Sequence, residues 1–166
     1  MIKIFDNVID KSETKFLSDT FLSNTTPYYL NKGQTDEDIR FHFTHVLQDR
    51  NTQQVMSNYY YDIVKIINNI CKKTKTKLNK TLRACVNLTF PYMPSQGAIH
   101  LDHPFNHKQF IIYLTNGGAT LFFNKKDKLI KKVNSKKFRV LLFDKQRHAV
   151  LHSKKGVRVI IVVTFV

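Results

Sequence analysis

A chain of 166 residues, 42% of them hydrophobic, is long enough to bury one core without disulfide support. Its two cysteines, Cys71 and Cys85, form no CxxC pair, which excludes a zinc ribbon and a thioredoxin-like redox motif; they read as free thiols in a reducing compartment. The formal charge of +15 favours acidic partners, nucleic acid among them, although most of the basic residues are lysines, which suit planar bidentate recognition less well than arginine.

The opening stretch, MIKIFDNVIDKSETKF, carries early acids and no signal-peptide core. No segment approaches the roughly 20 apolar residues that span a bilayer, so a cytoplasmic protein without membrane contact is expected. Asp10 and Glu13 have the spacing of a capping box and predict a helix over 10–22 with Phe16, Leu17 and Phe21 on one face, ended by Asn24–Pro27. Residues 28–50 show only strand-like patches at 28–30 and 40–45. Met56, Tyr59, Ile63, Ile66, Ile67 and Ile70 recur at three- and four-residue intervals, predicting an amphipathic helix over 52–72 with Thr52 as its cap. Tyr59, Tyr60 and Tyr61 then fall half on the core and half on the surface. The basic run Lys72–Lys80 reads as a loop.

From Thr81 the period changes to two. Leu82, Ala84, Val86, Leu88 and Phe90 alternate with Arg83, Cys85, Asn87 and Thr89, the pattern of a strand with one apolar face. Further strands are predicted at 97–102, 109–114, 119–124, 128–133, 138–143, 147–152 and 157–165, with Gly117-Gly118 and the lysines at 125–127 in turns. The lysine clusters at 125–137 and 145–155 read as solvated hairpin edges. Short strands at this spacing suggest a sandwich or jelly roll. The expected class is mainly β with N-terminal helices (α+β), in one domain: a helical part at about 1–80 bracing a strand-built core at about 81–166.

His100 and Asp102, two apart on a predicted strand, point to the same side and can share one metal ion. A third ligand must come from elsewhere, and His148 opens another predicted strand; His152, four residues on, competes with it. Two imidazoles and one carboxylate occupy one face of an octahedron and leave three positions open. Arg158, on the last strand, is a buried cation in need of an anion, which a dicarboxylate would supply. His103 and His107 read as surface residues, with substrate contacts as the alternative, and His42 and His45 as ordinary loop or strand histidines.

HLDHP at 100–104, IIYLTNGGATLFF at 111–123, FRVLLFD at 138–144 and HAVLHSKKGVR at 148–158 occur in that order. Together they resemble the catalytic core of the prolyl 4-hydroxylase-like 2-oxoglutarate/Fe(II)-dependent dioxygenases, over roughly residues 82–166. The resemblance implies a double-stranded β-helix (jelly roll), with Fe(II) held by His100, Asp102 and His148, and 2-oxoglutarate as cosubstrate. Arg158 and Tyr113 match the residues that hold the far carboxylate of 2-oxoglutarate, and ascorbate enters as an accessory. His152 stands at the wrong interval for the third ligand. Phe90 stands where many relatives carry a tyrosine, so Asn87 or Tyr92 is expected to replace its hydroxyl; Val162 stands where some carry a threonine. The implied reaction is hydroxylation of a C–H bond, with a protein or peptide side chain such as proline as substrate. Nucleic acid, a small metabolite, or a non-catalytic basic jelly-roll module remain alternatives, and the oligomeric state is open. A zinc hydrolase finds no general base at a recognisable spacing and leaves Arg158 without a role.

Overall fold

The computed structural model of the chain describes residues 1–32, 40–91 and 95–166. The elements follow in the order β1 (Ile2–Phe5), α1 (Lys11–Phe21), β2 (Tyr29–Asn31), β3 (His42–Gln48), α2 (Tyr59–Thr74), β4 (Thr81–Thr89), β5 (Lys108–Tyr113), β6 (Ala119–Phe123), β7 (Leu129–Asn134), β8 (Val140–Asp144), β9 (His148–Leu151) and β10 (Arg158–Phe165). The strands form two antiparallel sheets, one ordered β1-β8-β5-β10-β4-β3-β2 and one ordered β7-β6-β9. The class is the expected one: mainly β, with two helices, in a jelly roll.

β10 lies in the middle of the larger sheet, and all of RVIIVVTF is buried. Helices cover one side of that sheet and the smaller sheet covers the other, so the central strand meets no water and reads as an apolar run. Strand alternation sorts its side chains. Val159, Ile161, Val163 and Phe165 join Ala84, Val86, Phe110 and Ile112 against the helices; Ile160 and Val162 join Cys85, Ile111, Tyr113 and Phe122 between the sheets. Leu17 and Phe21 of α1 and Ile63, Ile66, Ile67 and Ile70 of α2 are buried in the helix-side core. Each such side chain contributes about 1.5–3 kcal/mol on burial, which anchors the helices without special loop chemistry.

Three expectations are corrected. The second helix begins at Tyr59, not near Thr52, and Asn58 is its N-cap. Residues before it close a turn in which Asp49 Oδ1 accepts the N–H groups of Asn51 and Thr52, and Gln53 takes a φ of 62°, which no helix tolerates. The strand expected at 97–102 is reduced to isolated bridges, Gln96 to Leu151 and His100 to His148. β1, unforeseen, pairs with β8 at the edge of the larger sheet. Among the described residues no helix is long and apolar enough to cross a membrane.

Candidate active site

Two backbone hydrogen bonds bring the histidines together. The N–H of His100 donates to the carbonyl of His148 at 2.9 Å, and the N–H of His148 donates back at 3.0 Å. Residues facing each other this way across antiparallel backbone place their side chains on the same face, and the two imidazole rings lie 4.5 Å apart. Asp102 follows on the same segment, with Oδ2 at 3.4 Å from His148 Nε2. One ligand atom from each of His100, Asp102 and His148 lies within 4.8 Å of the others. His152 is buried but stands outside this group.

The protonation pattern suits a metal. His100 Nδ1 is 3.1 Å from the carbonyl of Ala98 and His148 Nδ1 is 2.9 Å from that of Gln146, so each Nδ1–H donates to backbone and Nε2 is the ring nitrogen left to face a metal. Burial pushes the His148 imidazole down to about 4 in spite of Asp102 beside it, so the pair is not an ion pair at neutral pH. Asp102 is drawn the other way. Burial raises its carboxyl, but the guanidiniums of Arg83 and Arg50 beside it work the other way, and it is held well below the usual carboxylate range. Its Oδ1 accepts from Arg50 and Arg83, each at 3.1 Å, while the buried Oδ2 has no hydrogen-bond partner. A buried carboxylate oxygen without a donor is costly. Two imidazole nitrogens and that oxygen are a donor set that fits Fe(II) or a similar divalent ion.

A cavity of about 420 Å³ lies between the sheets and reaches the triad, and Arg158 lines its wall. Arg158 is 2% exposed, and among the described residues it forms no ion pair. Its Nη2 donates to Thr120 Oγ1 at 3.2 Å, and its guanidinium lies 5.5 Å from the centre of the Tyr113 ring. The Tyr113 hydroxyl shares a 2.7 Å bond with the same Thr120 oxygen. Burial raises the Tyr113 pKa, so the phenol stays neutral and able to donate. A charge removed from water with only hydroxyls around it calls for an anion, and the far carboxylate of a dicarboxylic acid fits this wall.

Of the other expected residues, Asn87 lines the cavity, and its Oδ1 accepts from Thr44 Oγ1 at 3.0 Å, which leaves its amide N–H groups for a ligand. Tyr92 lies outside the described residues. Phe90 is on the outside, packed edge-on against Phe43, and Val162 lines the cavity. His42 also lines it, whereas His45 is tied to Pro27 and Ser57 on the helix side. His103 and His107 are buried, not superficial as expected. They pack against each other at 4.9 Å beside Phe105, and His103 bonds Thr164. The sequence reading passed over Thr120, Gln109, Arg50 and Arg83, all of which line the cavity. Period-two alternation puts Arg83 on the face of Cys85 and Asn87, and Thr120 of GGATLFF on the site side; nothing local flags Arg50.

Comparison with solved structures supplies the fold's relatives. The chain superposes on a 2OG-Fe(II) oxygenase family oxidoreductase from Burkholderia pseudomallei with a TM-score of 0.80 at 15% identity, covering 99% of this chain and 84% of that one. The chain has the fold of the 2-oxoglutarate/Fe(II) oxygenases. A Pseudomonas putida prolyl-4-hydroxylase matches with a TM-score of 0.66 at 13% identity, over 99% of this chain and 91% of that one. A prolyl hydroxylase from Trichoplax adhaerens, solved with a hypoxia inducible factor peptide fragment, matches at 0.65 and 15% identity over 99% and 82%. No protein-family model matches the sequence, and no curated protein is similar to it.

Proposed function

We propose that the chain is a 2-oxoglutarate- and Fe(II)-dependent dioxygenase, acting as one domain, that hydroxylates a C–H bond. The observation that carries this reading is the pairing of two incomplete sites on one cavity: a His-Asp-His group with a partnerless buried carboxylate oxygen, and a buried Arg158 without an anion. A metal ion completes the first and a dicarboxylic cosubstrate bound to it completes the second. The fold of the solved oxygenases supports the same reading.

His100, Asp102 and His148 would hold the iron, which leaves three coordination positions for the keto acid and dioxygen. When bound, iron and 2-oxoglutarate supply the oxidising chemistry: dioxygen and 2-oxoglutarate are consumed, succinate and carbon dioxide leave, and the substrate C–H becomes C–OH. The chain's own part is positioning. Arg158 and the Thr120 hydroxyl, backed by Tyr113, would fix the far carboxylate. Asn87 would donate its amide to the cosubstrate from β4. Ile111, Ile160 and Val162 line the space between and keep water out.

A peptidyl side chain, proline first, is the substrate this reading favours, because two of the similar folds are prolyl hydroxylases, one of them solved with a peptide. A carbocyclase from nogalamycin biosynthesis shares the fold at a TM-score of 0.68, so the fold alone does not select a substrate. The test is succinate release in air from iron-loaded protein, with proline-containing peptides, oligonucleotides and small acids in parallel. Succinate formation that needs iron and 2-oxoglutarate and is stimulated by a peptide is expected. Protein that binds neither iron nor 2-oxoglutarate refutes the reading and leaves a basic, non-catalytic binding module.

A further inference from the structure

We infer that Arg50 and Arg83 form a subsite for a carboxylate carried by the molecule to be oxidised, beside the three metal ligands; this deepens the oxygenase reading and rests on it. Arg50 Nη2 and Arg83 Nη1 both donate to the single oxygen Oδ1 of Asp102. One carboxylate thus faces two cations that reach the cavity from different elements, a turn after β3 and the strand β4.

The charges around the cavity leave that imbalance in place. Asp49 also lines it, but its Oδ1 is taken up by the Asn51 and Thr52 N–H groups and the Thr52 hydroxyl. Counting Arg158 as well, three guanidiniums face two carboxylates around the cavity. A divalent metal and a dianionic keto acid cancel one another, so the loaded cavity keeps a single positive charge. That charge balances a carboxylate; a doubly ionised phosphate overshoots it. Arg50 and Arg83 each offer five N–H donors in a rigid fork, and among the described residues each gives only one to a carboxylate here.

The arrangement is built. Arg50 sits in a turn closed by a bond from the Asp49 N–H to the Gln54 carbonyl at 2.9 Å. Gln53 Nε2 lies 2.7 Å from both the Arg50 and the Leu82 carbonyls, stitching the turn to β4 next to Arg83. The Arg50 and Arg83 side chains are 39% and 23% exposed, against 4% for Asp102, so a substrate meets the guanidiniums on its way to the triad.

The test uses protein loaded with Mn(II) and 2-oxoglutarate without dioxygen, so that binding is read apart from turnover. N-acetyl-L-proline and N-acetyl-L-leucine are titrated calorimetrically against their neutral amides, with inorganic phosphate as a further probe. The acids should bind at least about tenfold more tightly than the amides. Arg50→Gln should abolish that preference, Arg50→Lys should keep part of it, and phosphate should bind more weakly than the acids. Equal binding of acid and amide overturns the inference, as does an Arg50→Gln variant that weakens both alike. Phosphate binding more tightly than the acids overturns the assignment to a carboxylate. These outcomes arise only in protein that has taken up Mn(II) and 2-oxoglutarate. Failure to take them up overturns the oxygenase reading, and the inference with it.

Discussion

Gly118 lies directly against Arg158: a Cβ on the glycine would stand 3.0 Å from Arg158 Cδ and 2.5 Å from the carbonyl oxygen of Leu151. Gly118 also takes a φ of +73°. The glycine therefore serves both the turn into β6 and the seat of the buried guanidinium. Gly118→Ala should cost about 1–3 kcal/mol from backbone strain, plus a steric part, and it should raise the KM for 2-oxoglutarate by displacing Arg158. Gly156 separates the two effects. Its φ is +70°, but nothing lies within 4 Å of its would-be Cβ. Gly156→Ala should show the strain alone in a denaturant midpoint, with KM unchanged. Equal effects of the two variants on KM would mean that the Gly118 contact does not position Arg158.

Arg158 should matter to the cosubstrate and not to the metal. It belongs to the wall of the cavity, bonded to Thr120 and not to the triad. Truncating one member of a buried charge pair costs about 2–5 kcal/mol of binding. Arg158→Met should thus weaken 2-oxoglutarate by roughly thirtyfold or more and leave Mn(II) affinity within a few-fold. Without ligand, the variant should be no less stable than the wild type, because it removes a desolvated charge that has no anion. A large stability loss in the ligand-free protein would make Arg158 a structural residue.

Asp102 should behave in the opposite way. It is the one anionic member of the triad and the point where Arg50 and Arg83 meet. Removing an outer partner of a metal ligand costs about 10–100-fold in affinity; Asp102→Ala, which removes a ligand itself, should exceed that. It also strands two guanidiniums near one another, so the metal-free variant should unfold at lower denaturant than wild type. Calorimetric Mn(II) titration and urea unfolding check the two halves independently. Near-normal Mn(II) affinity in folded Asp102→Ala would remove this residue from the ligand set.

The elements from residue 81 onward were legible because strand alternation and turn residues coincide there; β5 to β10 fall within about two residues of their expected places. The start of α2 was obscured because Met56, which fits the helical period, belongs instead to backbone pairing, with its N–H on the Leu47 carbonyl. β1 was missed because its four residues are stabilised by β8, far along the chain. Likewise, His100, Asp102 and His148 could be read from spacing and family resemblance. Arg50 could not, since only the folding of the turn after β3 over β4 brings it to Asp102. His103 and His107 look like surface residues in a polar stretch, yet Phe105 and Thr164 enclose them.

The N-terminal edge strand offers a pH test away from the site. Asp6, just after β1, receives Arg139 through Nε at 2.9 Å and Nη2 at 3.0 Å, and Lys136 at 3.2 Å. The hydrogen bond from Arg139 is the main reason its carboxyl falls from 3.8 to about 2. A carboxylate with a lowered pKa in the folded state adds stability that is complete above its unfolded value and disappears as the pH falls through its folded value. The Asp6 contribution should therefore be constant above about pH 5 and fade between about pH 4 and 2. The pair is partly exposed, so solvent screening reduces it to the order of 1 kcal/mol. Asp6→Asn should lower the urea midpoint at pH 6 and approach the wild type near pH 2.5, where the acid is largely protonated in the unfolded chain. A wild-type minus variant difference that does not shrink across that window would mean that Asp6 acts through packing at the β1–β8 edge and not through its charge.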